Sequence, residues 1–187
     1  GNRLAAVSGA GFEAVGMADN IQFDDFTMKM AEFSKNSTEK INKLLVKKRL
    51  DNLVGVKNPL DINPGADDET HTFVVKTLAE DPNVDAVVVG LDPLSPAMRT
   101  LAVPDSGRYS LSDSASIAKA LPKTIQRLNK PVVGVVDGGR LYDPLVDKLI
   151  EGGVAVFRSS DRAVHSLAMY IEGRLYAERL RERNAIE

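Results

Sequence analysis

The chain has 187 residues and a mass of 20.2 kDa, and 43% of its residues are hydrophobic. A chain of this length can bury one core of its own, so we expect one domain. Its net charge of −2 argues against a nucleic-acid partner or an anionic membrane surface. Because it has no cysteine, it has no disulfide and no thiolate metal site, and we expect a cytoplasmic location.

The first 21 residues predict a strand, a glycine turn and a helix. Residues 3–8 contain a short apolar run, glycines follow, and residues 12–21 are compatible with a helix. The amino end of a helix attracts anions, because unpaired N–H groups leave its first turn at the positive end of the helix dipole. We therefore predict that the residues of this turn face a phosphate or another anion. They are Ser8, Gly9, Ala10 and Gly11.

The next elements follow less regular patterns. Residues 27–33 come after a helix and are predicted to form a second strand. Asn36 and Glu39 are spaced as a capping box, in which the Asn36 side chain accepts the backbone N–H of Glu39 at the start of a helix. Residues 58–65 are rich in turn formers and are predicted to be a loop. Residues 67–80 are predicted to form a helix.

The second half of the chain contains two continuous apolar runs, residues 86–91 and 131–136. Such runs are typical of central strands that are covered on both faces. The remaining elements are a helix over residues 143–151, a short strand over 154–157, and a last helix that Ser160 caps and that ends at about residue 183.

Strands that alternate with helices predict an α/β fold, a doubly wound parallel sheet of five strands in three layers. In such sheets, ligands bind where the strands end. We expect residues 1–160 to form this domain and residues 161–187 to form a C-terminal helix that packs on it and continues as a tail. Residues 101–116 are too long for a routine connection and are predicted to be a lid over the strand ends or a mobile insertion.

Asp137, Gly138 and Gly139 follow one of the central strands. Because glycine allows close approach of another backbone, we interpret these residues as an interface or ligand loop. The two histidines, His71 and His165, lie inside predicted helices, so we expect surface or boundary positions without a catalytic role. No group of acidic residues and histidines has the spacing of metal ligands, and we predict no metal site.

The glycine turn also matches a second chemical pattern. Gly9, Gly11 and Ala14 have the spacing of a dinucleotide-binding fingerprint, and Glu32 follows about 20 residues later, where an acidic residue would hold a ribose hydroxyl. This pattern favours a free-standing nucleotide or dinucleotide binder. The same residues also fit a tight turn that serves only the packing of the helix on the sheet.

Several motifs, in their order, resemble the NDP-forming acyl-CoA synthetases. Residues 1–19 are similar to the opening of the carboxyl-terminal domain of the succinyl-CoA synthetase β subunit. Residues 58–62, 80–89 and 130–139 follow in the order of that family, and residues 154–164 resemble its last strand and helix. The resemblance covers nearly the whole chain and implies a flavodoxin-like ligase domain.

In that family, the domain meets a pseudo-symmetric twin, and each directs a helix amino end at a histidine that carries phosphate. The resemblance therefore implies the anion-facing role of the glycine turn and adds a second helix start after residues 86–91. Ser95 would cap this second helix and Pro96 would lie in its first turn. The second anion-facing set is Leu94, Ser95 and Pro96. No catalytic side chain is assigned to this chain.

The parent enzyme that the resemblance implies interconverts acyl-CoA, NDP and phosphate with the free acid, CoA and NTP. It uses CoA, ATP and ADP (or GTP and GDP) and magnesium, none of which we expect on this domain alone. The expected partners are the CoA-binding and phosphohistidine-bearing domains of the same or a partner chain, with no nucleic acid and no membrane, and a homodimer is a further possibility. Because the chain begins at Gly1 rather than at a methionine, we expect a piece of a longer polypeptide that is inactive in isolation.

The sequence also departs from the family pattern. Asp92, Pro93 and Leu94 stand where the family has a glycine-rich pair, and a carboxylate at this place would repel phosphate. Together with residues 101–116, this departure leaves a third interpretation open. In that interpretation the chain is a scaffold or regulatory homologue that kept the fold without the chemistry.

Overall fold

In a computed structural model, a parallel sheet lies between two layers of helices. The structure describes residues 1–23, 26–104, 107 and 109–184. The strands are β1 (Arg3–Ser8), β2 (Lys29–Met30), β3 (Leu60–Asp61), β4 (Ala86–Gly90), β5 (Val132–Val135) and β6 (Ala155–Phe157). The helices are α1 (Gly11–Asp19), α2 (Lys35–Lys48), α3 (Asp68–Glu80), α4 (Ile117–Ile125), α5 (Asp143–Glu151) and α6 (Ser160–Asn184).

The strand order is β2-β1-β4-β5-β6, and every strand pair is parallel. This is the 2-1-3-4-5 order of flavodoxin-like folds, so the predicted fold class is confirmed. The predicted number of five strands is wrong, because the described residues contain a sixth, the short β3. It pairs with the end of β1, where Val7 and Ser8 face Leu60 and Asp61, while β2 pairs with the start of β1. The sequence gives no strand pattern for β3, because this strand has only two residues and lies between prolines.

The core has two halves because the side chains of each strand alternate between the faces of the sheet. On β1, Ala5 and Val7 point toward the layer that contains α2, α3, α4 and α5. Leu4 and Ala6 point toward α1 and α6 on the other face. The strands β4 and β5 are therefore covered on both sides, as their continuous apolar sequences predict, and β1 is covered in the same way.

The start of α2 differs from the prediction. The helix begins at Lys35, and the Ser34 side chain accepts a hydrogen bond from the backbone N–H of Ser37 at 3.3 Å. The capping box that we predicted at Asn36 and Glu39 is therefore wrong. Ser34 is as good a cap as Asn36, and the spacing alone did not distinguish the two positions.

The segment after β4 also differs from the prediction, because no helix begins at Ser95 and Pro96. The Asp92 side chain accepts the backbone N–H of Leu94 at 3.0 Å, which makes a local turn. The Ser95 hydroxyl donates to the Pro64 carbonyl at 2.8 Å. The helix that follows β4 is α4, which begins at Ile117.

The last helix, α6, packs on the sheet mainly through its first half. Its buried residues end at Ile171, and no described residue after it is buried, although the partly buried Leu175 still packs against the core. That the helix continues as a tail stays a prediction. Among the described residues, no helix has both the length and the apolar character that a membrane span requires.

Candidate functional site

The loops that follow β1, β4 and β5 meet at the carboxyl edge of the sheet. β1 and β4 are neighbours in the middle of the sheet, and their last residues, Ser8 and Gly90, are paired in register. From β1 the sheet grows toward β2 in one direction and toward β5 in the other. The gap between β1 and β4 is therefore the topological switch point, where doubly wound sheets bind ligands.

A buried carboxyl group lies at this switch point. Glu13, in the first turn of α1, is only 6% exposed, and its Oε2 accepts a hydrogen bond from the Ser8 hydroxyl at 2.5 Å. A Cβ on Gly90 would overlap this carboxyl, so any larger residue at the end of β4 would have to displace the Glu13 side chain. The sequence did not predict Glu13 as a residue of this site. Its signal is its position one turn before Met17, on the helix face that packs on the sheet.

The environment of Glu13 favours its neutral form. Burial raises the pKa of Glu13 to about 7, and the Ser8 hydrogen bond opposes this rise. The nearby carboxylates of Asp137 and Asp92 raise the pKa further. Glu13 is therefore an acid that gains and loses its proton near neutral pH, and such groups are candidates for functional sites.

The predicted anion turn lies directly above this carboxyl. Ser8 accepts the backbone N–H of Ala10 at 3.0 Å, and Ala10 precedes α1 without a side-chain cap. A Cβ at Gly11 would lie 2.7 Å from the carboxylate of Asp61, the last residue of β3. The amino end of α1 is thus flanked by two acidic side chains of the chain itself. That Ser8, Gly9, Ala10 and Gly11 face an anion stays a prediction.

The second predicted helix end is not at this edge. Leu94 and Pro96 are exposed in the turns after β4, and Ser95 is buried. The helix of this segment, α4, has its amino end closed by the buried Asp68, whose Oδ1 accepts the Ile117 N–H at 2.6 Å. The predicted pair of converging helix ends is therefore wrong, and within the described part of the chain α1 is the helix that begins beside the switch point.

Hydrogen bonds, an ion pair and side-chain packing within the chain fix the loop after β5. The carbonyls of Gly138 and Gly139 accept hydrogen bonds from the Arg158 guanidinium, which also pairs with Asp143 at 3.1 Å. A Cβ on Gly138 would lie 2.8 Å from the Tyr142 ring. Internal packing thus explains this glycine, and the role of Asp137, Gly138 and Gly139 in an interface stays a prediction.

The position of His71 differs from the prediction. We expected a surface or boundary residue, but His71 is completely buried in α3. Its Nδ1 lies 3.1 Å from the Asp67 carbonyl, which only accepts, so Nδ1 carries the proton. Its Nε2 packs against Gly9 and has no partner among the described residues. Burial lowers the pKa of His71, so the ring is neutral at pH 7.

His165 lies away from the switch point. It is exposed on α6 and contacts the edge of the Phe23 ring, with ring centroids 5.0 Å apart. Glu32, the acidic residue of the dinucleotide pattern, is exposed beyond the edge strand β2. Across the described part of the chain, no group of three or more histidines and acidic residues is arranged to hold a metal ion.

An apolar rim surrounds the acidic centre of this edge. Phe12, Leu94 and Leu141 follow β1, β4 and β5, and their side chains are 77%, 76% and 66% exposed. Exposed apolar groups that lie together at one edge are typical of an interaction surface. We call these three residues the apolar rim.

Comparison with known proteins gives one curated relative and several solved structures. No family profile matches the chain. The chain is 25% identical over 172 residues to the acetate–CoA ligase [ADP-forming] II subunit alpha of Pyrococcus furiosus, and the match covers 90% of this chain. The predicted resemblance is confirmed. The match covers 33% of that subunit, so the chain spans about a third of the length of this relative.

The solved structures that resemble the chain share its fold. PH0766 from Pyrococcus horikoshii OT3 has a TM-score of 0.71 at 22% identity and is matched over 90% of this chain and 34% of its own. The dinucleotide forming acetyl-coenzyme A synthetase 1 of Ca. Korarchaeum cryptofilum has a TM-score of 0.71 in its apo form, at 22% identity. The same enzyme in complex with phosphate and ADP has a TM-score of 0.70 and is matched over 93% of this chain and 33% of its own.

Proposed function

We propose that this chain is the carboxyl-terminal ligase domain of an NDP-forming acyl-CoA synthetase. The observation that supports this proposal is the match to a subunit of an ADP-forming acetate–CoA ligase over 90% of the chain. Such an enzyme would interconvert acyl-CoA, NDP and phosphate with the acid, CoA and NTP. The domain would contribute an interface and one anion-facing helix end, and the reacting histidine would come from another domain.

The anion-facing part of the proposal rests on α1. The glycine turn and the first turn of α1 lie at the switch point, and the helix dipole there favours negative charge. Ser8, Gly9, Ala10 and Gly11 are the residues proposed to approach phosphate. For Leu94 and Pro96 we propose an apolar contact with the partner instead, because no helix begins there.

The interface part of the proposal rests on the apolar rim. Its three residues follow three neighbouring strands, at the same edge of the sheet as the turn, so a docked domain would cover both together. The proposed partners are the CoA-binding and phosphohistidine-bearing domains of the same or a partner chain. CoA, the nucleotide and magnesium would bind to those other domains.

The test uses the full-length protein that contains this chain as a domain. With acetyl-CoA, ADP and phosphate we expect ATP formation and, with labelled phosphate, a phosphorylated histidine. Phe12→Asp adds a carboxylate in the first turn of α1, and we expect it to lower the labelling rate by about tenfold through repulsion of phosphate.

Two matched variants separate charge from apolar contact. Phe12→Asn removes the ring without adding charge, so a loss shared by both Phe12 variants indicates the interface alone. Val15→Asp places the same charge one turn further along α1, at another exposed position, and we expect nearly unchanged labelling. A complete protein that forms neither ATP nor phosphohistidine contradicts the proposal.

A further inference from the structure

The position of Glu13 combines several independent features. Its carboxyl lies between the ends of β1 and β4, bonded to Ser8 and resting on the Cα of Gly90. It therefore lies directly below the turn that we propose to approach phosphate. On the other side of the turn, the buried His71 Nε2 packs against Gly9 without a partner among the described residues. Two buried polar groups thus face the turn from opposite sides of the sheet.

The charged groups around Glu13 are acidic. Asp92 follows β4, Asp137 follows β5, and Asp61 lies beside Gly11. The loops after β5 and β6 also carry Arg140 and Arg158, and the Arg158 guanidinium is bonded to two backbone carbonyls and to the Asp143 carboxylate. Within the described residues, Glu13 has no hydrogen bond or ion pair with a cation. Its negative charge is therefore not offset by a neighbour.

An anion at the amino end of α1 would add a further negative charge within the same small region. The single negative charge of an ionised Glu13 and a dianion close to it, in a partly buried site, repel by several times the value in water. The carboxyl of Glu13 in its neutral form removes this repulsion and leaves the N–H groups of α1 to act alone. The ionised carboxylate of Glu13 interacts with the positive end of the α1 dipole and therefore competes with a bound anion.

We propose that Glu13 determines the charge of the ligand that this edge accepts, so that a dianion binds the α1 turn together with one proton on Glu13. This inference rests on the proposed function, because it concerns the same turn. By linkage, the reverse also holds: a bound dianion favours the neutral carboxyl. Phosphate in its dianionic form would thus be accepted together with a proton, whereas an ionised Glu13 would favour a monoanion or a neutral group.

Burial and the two neighbouring aspartates set the pH range in which Glu13 gains and loses its proton. They raise the pKa of Glu13 to about 7, so both forms are present near neutral pH. Asp92 and Asp137 contribute from the loops after β4 and β5, and Ser8 contributes a hydrogen bond from β1 in the opposite direction. His71 is neutral and adds no charge in this range.

The test measures the binding of sulfate to the chain by NMR, from the amide signals of Gly9, Ala10 and Gly11. Sulfate is the probe because it stays a dianion over the whole neutral range, whereas phosphate itself gains a proton there. Sodium chloride at matched ionic strength is the blank. We expect sulfate to bind about tenfold more weakly near pH 8 than near pH 6, the ratio that a group with a pKa of about 7 imposes. Glu13→Gln should bind at both pH values as tightly as the wild type does near pH 6.

A second variant keeps the test independent of Glu13→Gln and its folding. Asp137→Asn removes one of the charges that raise the pKa of Glu13 and should move the midpoint of the pH dependence to lower pH. The inference is overturned if Glu13→Gln retains the wild-type pH dependence, if Asp137→Asn leaves the midpoint unchanged, or if sulfate moves none of the three amide signals. The ligase role is tested separately by ATP formation in the complete protein, so the two failures are distinguishable.

Discussion

At the scale of single residues, ionisation of Glu13 opposes folding. Its carboxyl has an ordinary pKa of 4.5 and a folded-state pKa of about 7, because burial disfavours the charged form. Between these two values the folded chain holds the proton more tightly than the unfolded chain. Stability therefore falls as the pH rises through this window and is constant above it, and the loss is at most about 3 kcal/mol.

Replacing Glu13 with glutamine should remove this dependence. We expect Glu13→Gln to raise the free energy of unfolding near pH 8 by up to about 3 kcal/mol and to change it little near pH 4, where Glu13 is already neutral. Urea denaturation at both pH values measures the difference. Glu151→Gln, at an exposed position on α5, is the control and should have no effect at either pH. A Glu13→Gln protein that is less stable than the wild type near pH 8 would contradict this account.

The sequence predicted the local part of this site and missed the rest. The turn at Ser8–Gly11 is visible because a strand, glycines and a helix follow one another directly. Glu13, Asp61 and His71 approach the turn only through the fold, since they come from a helix face, a two-residue strand and a distant helix. Whether a polar residue in a helix is buried depends on which face meets the sheet, and His71 shows how this can mislead.

At the scale of elements, Asp68 joins α3 to the segment that precedes α4. Its carboxylate is 1% exposed, accepts the Ile117 N–H, and pairs with Arg99 at 2.9 Å. Arg99 also pairs with the more exposed Asp113 at 3.2 Å. One buried carboxylate thus closes the amino end of α4 and anchors the long connection after β4.

Removing the charge of Asp68 should therefore destabilise the fold. We expect Asp68→Asn to lower the free energy of unfolding by about 3 kcal/mol, because it leaves Arg99 without its buried partner and weakens the cap of α4. Asp113→Asn removes the exposed partner of the same arginine and should cost less than about 1 kcal/mol. Urea denaturation of the two variants tests this order, and equal losses would show that burial of Asp68 does not matter.

Prediction of elements succeeded where burial dictates the sequence. The runs at residues 86–91 and 131–136 gave β4 and β5, because strands covered on both faces need continuous apolar residues. Ser95 and Pro96 have the local pattern of a helix start, yet the Ser95 hydroxyl bonds to Pro64 and turns replace the helix. The sequence analysis did not identify α4, whose pattern is interrupted by Pro122.

At the scale of the whole molecule, one edge brings together several features that a partner could cover. The apolar rim, the open end of α1 and the acidic side chains of Glu13, Asp92 and Asp137 all lie where the central strands end. The chain spans about a third of the relative it matches, so other domains could cover this edge in a complete protein. In isolation the same surface is left to water.

We expect the isolated chain to associate with itself through this edge. Serine at the three positions of the apolar rim should shift the chain toward the monomer, because it removes the exposed apolar groups that association would bury. Sedimentation equilibrium over a range of protein concentrations measures the change. Val46→Ser, at an exposed apolar position on α2, is the control and should leave association unchanged. A wild-type chain that stays monomeric at every concentration would show that the rim alone does not bind a second copy.

The contact between Glu13 and the Cα of Gly90 ties two distant positions of the gene to each other. A Cβ at position 90 would meet the Glu13 carboxyl and the Ser8 hydroxyl, so alanine there should displace the Glu13 side chain and should be tolerated better when position 13 is small. In a genetic selection, second-site suppressors of Gly90→Ala should therefore gather at codon 13. Among natural variants, a residue larger than glycine at position 90 should occur together with a shorter residue at position 13.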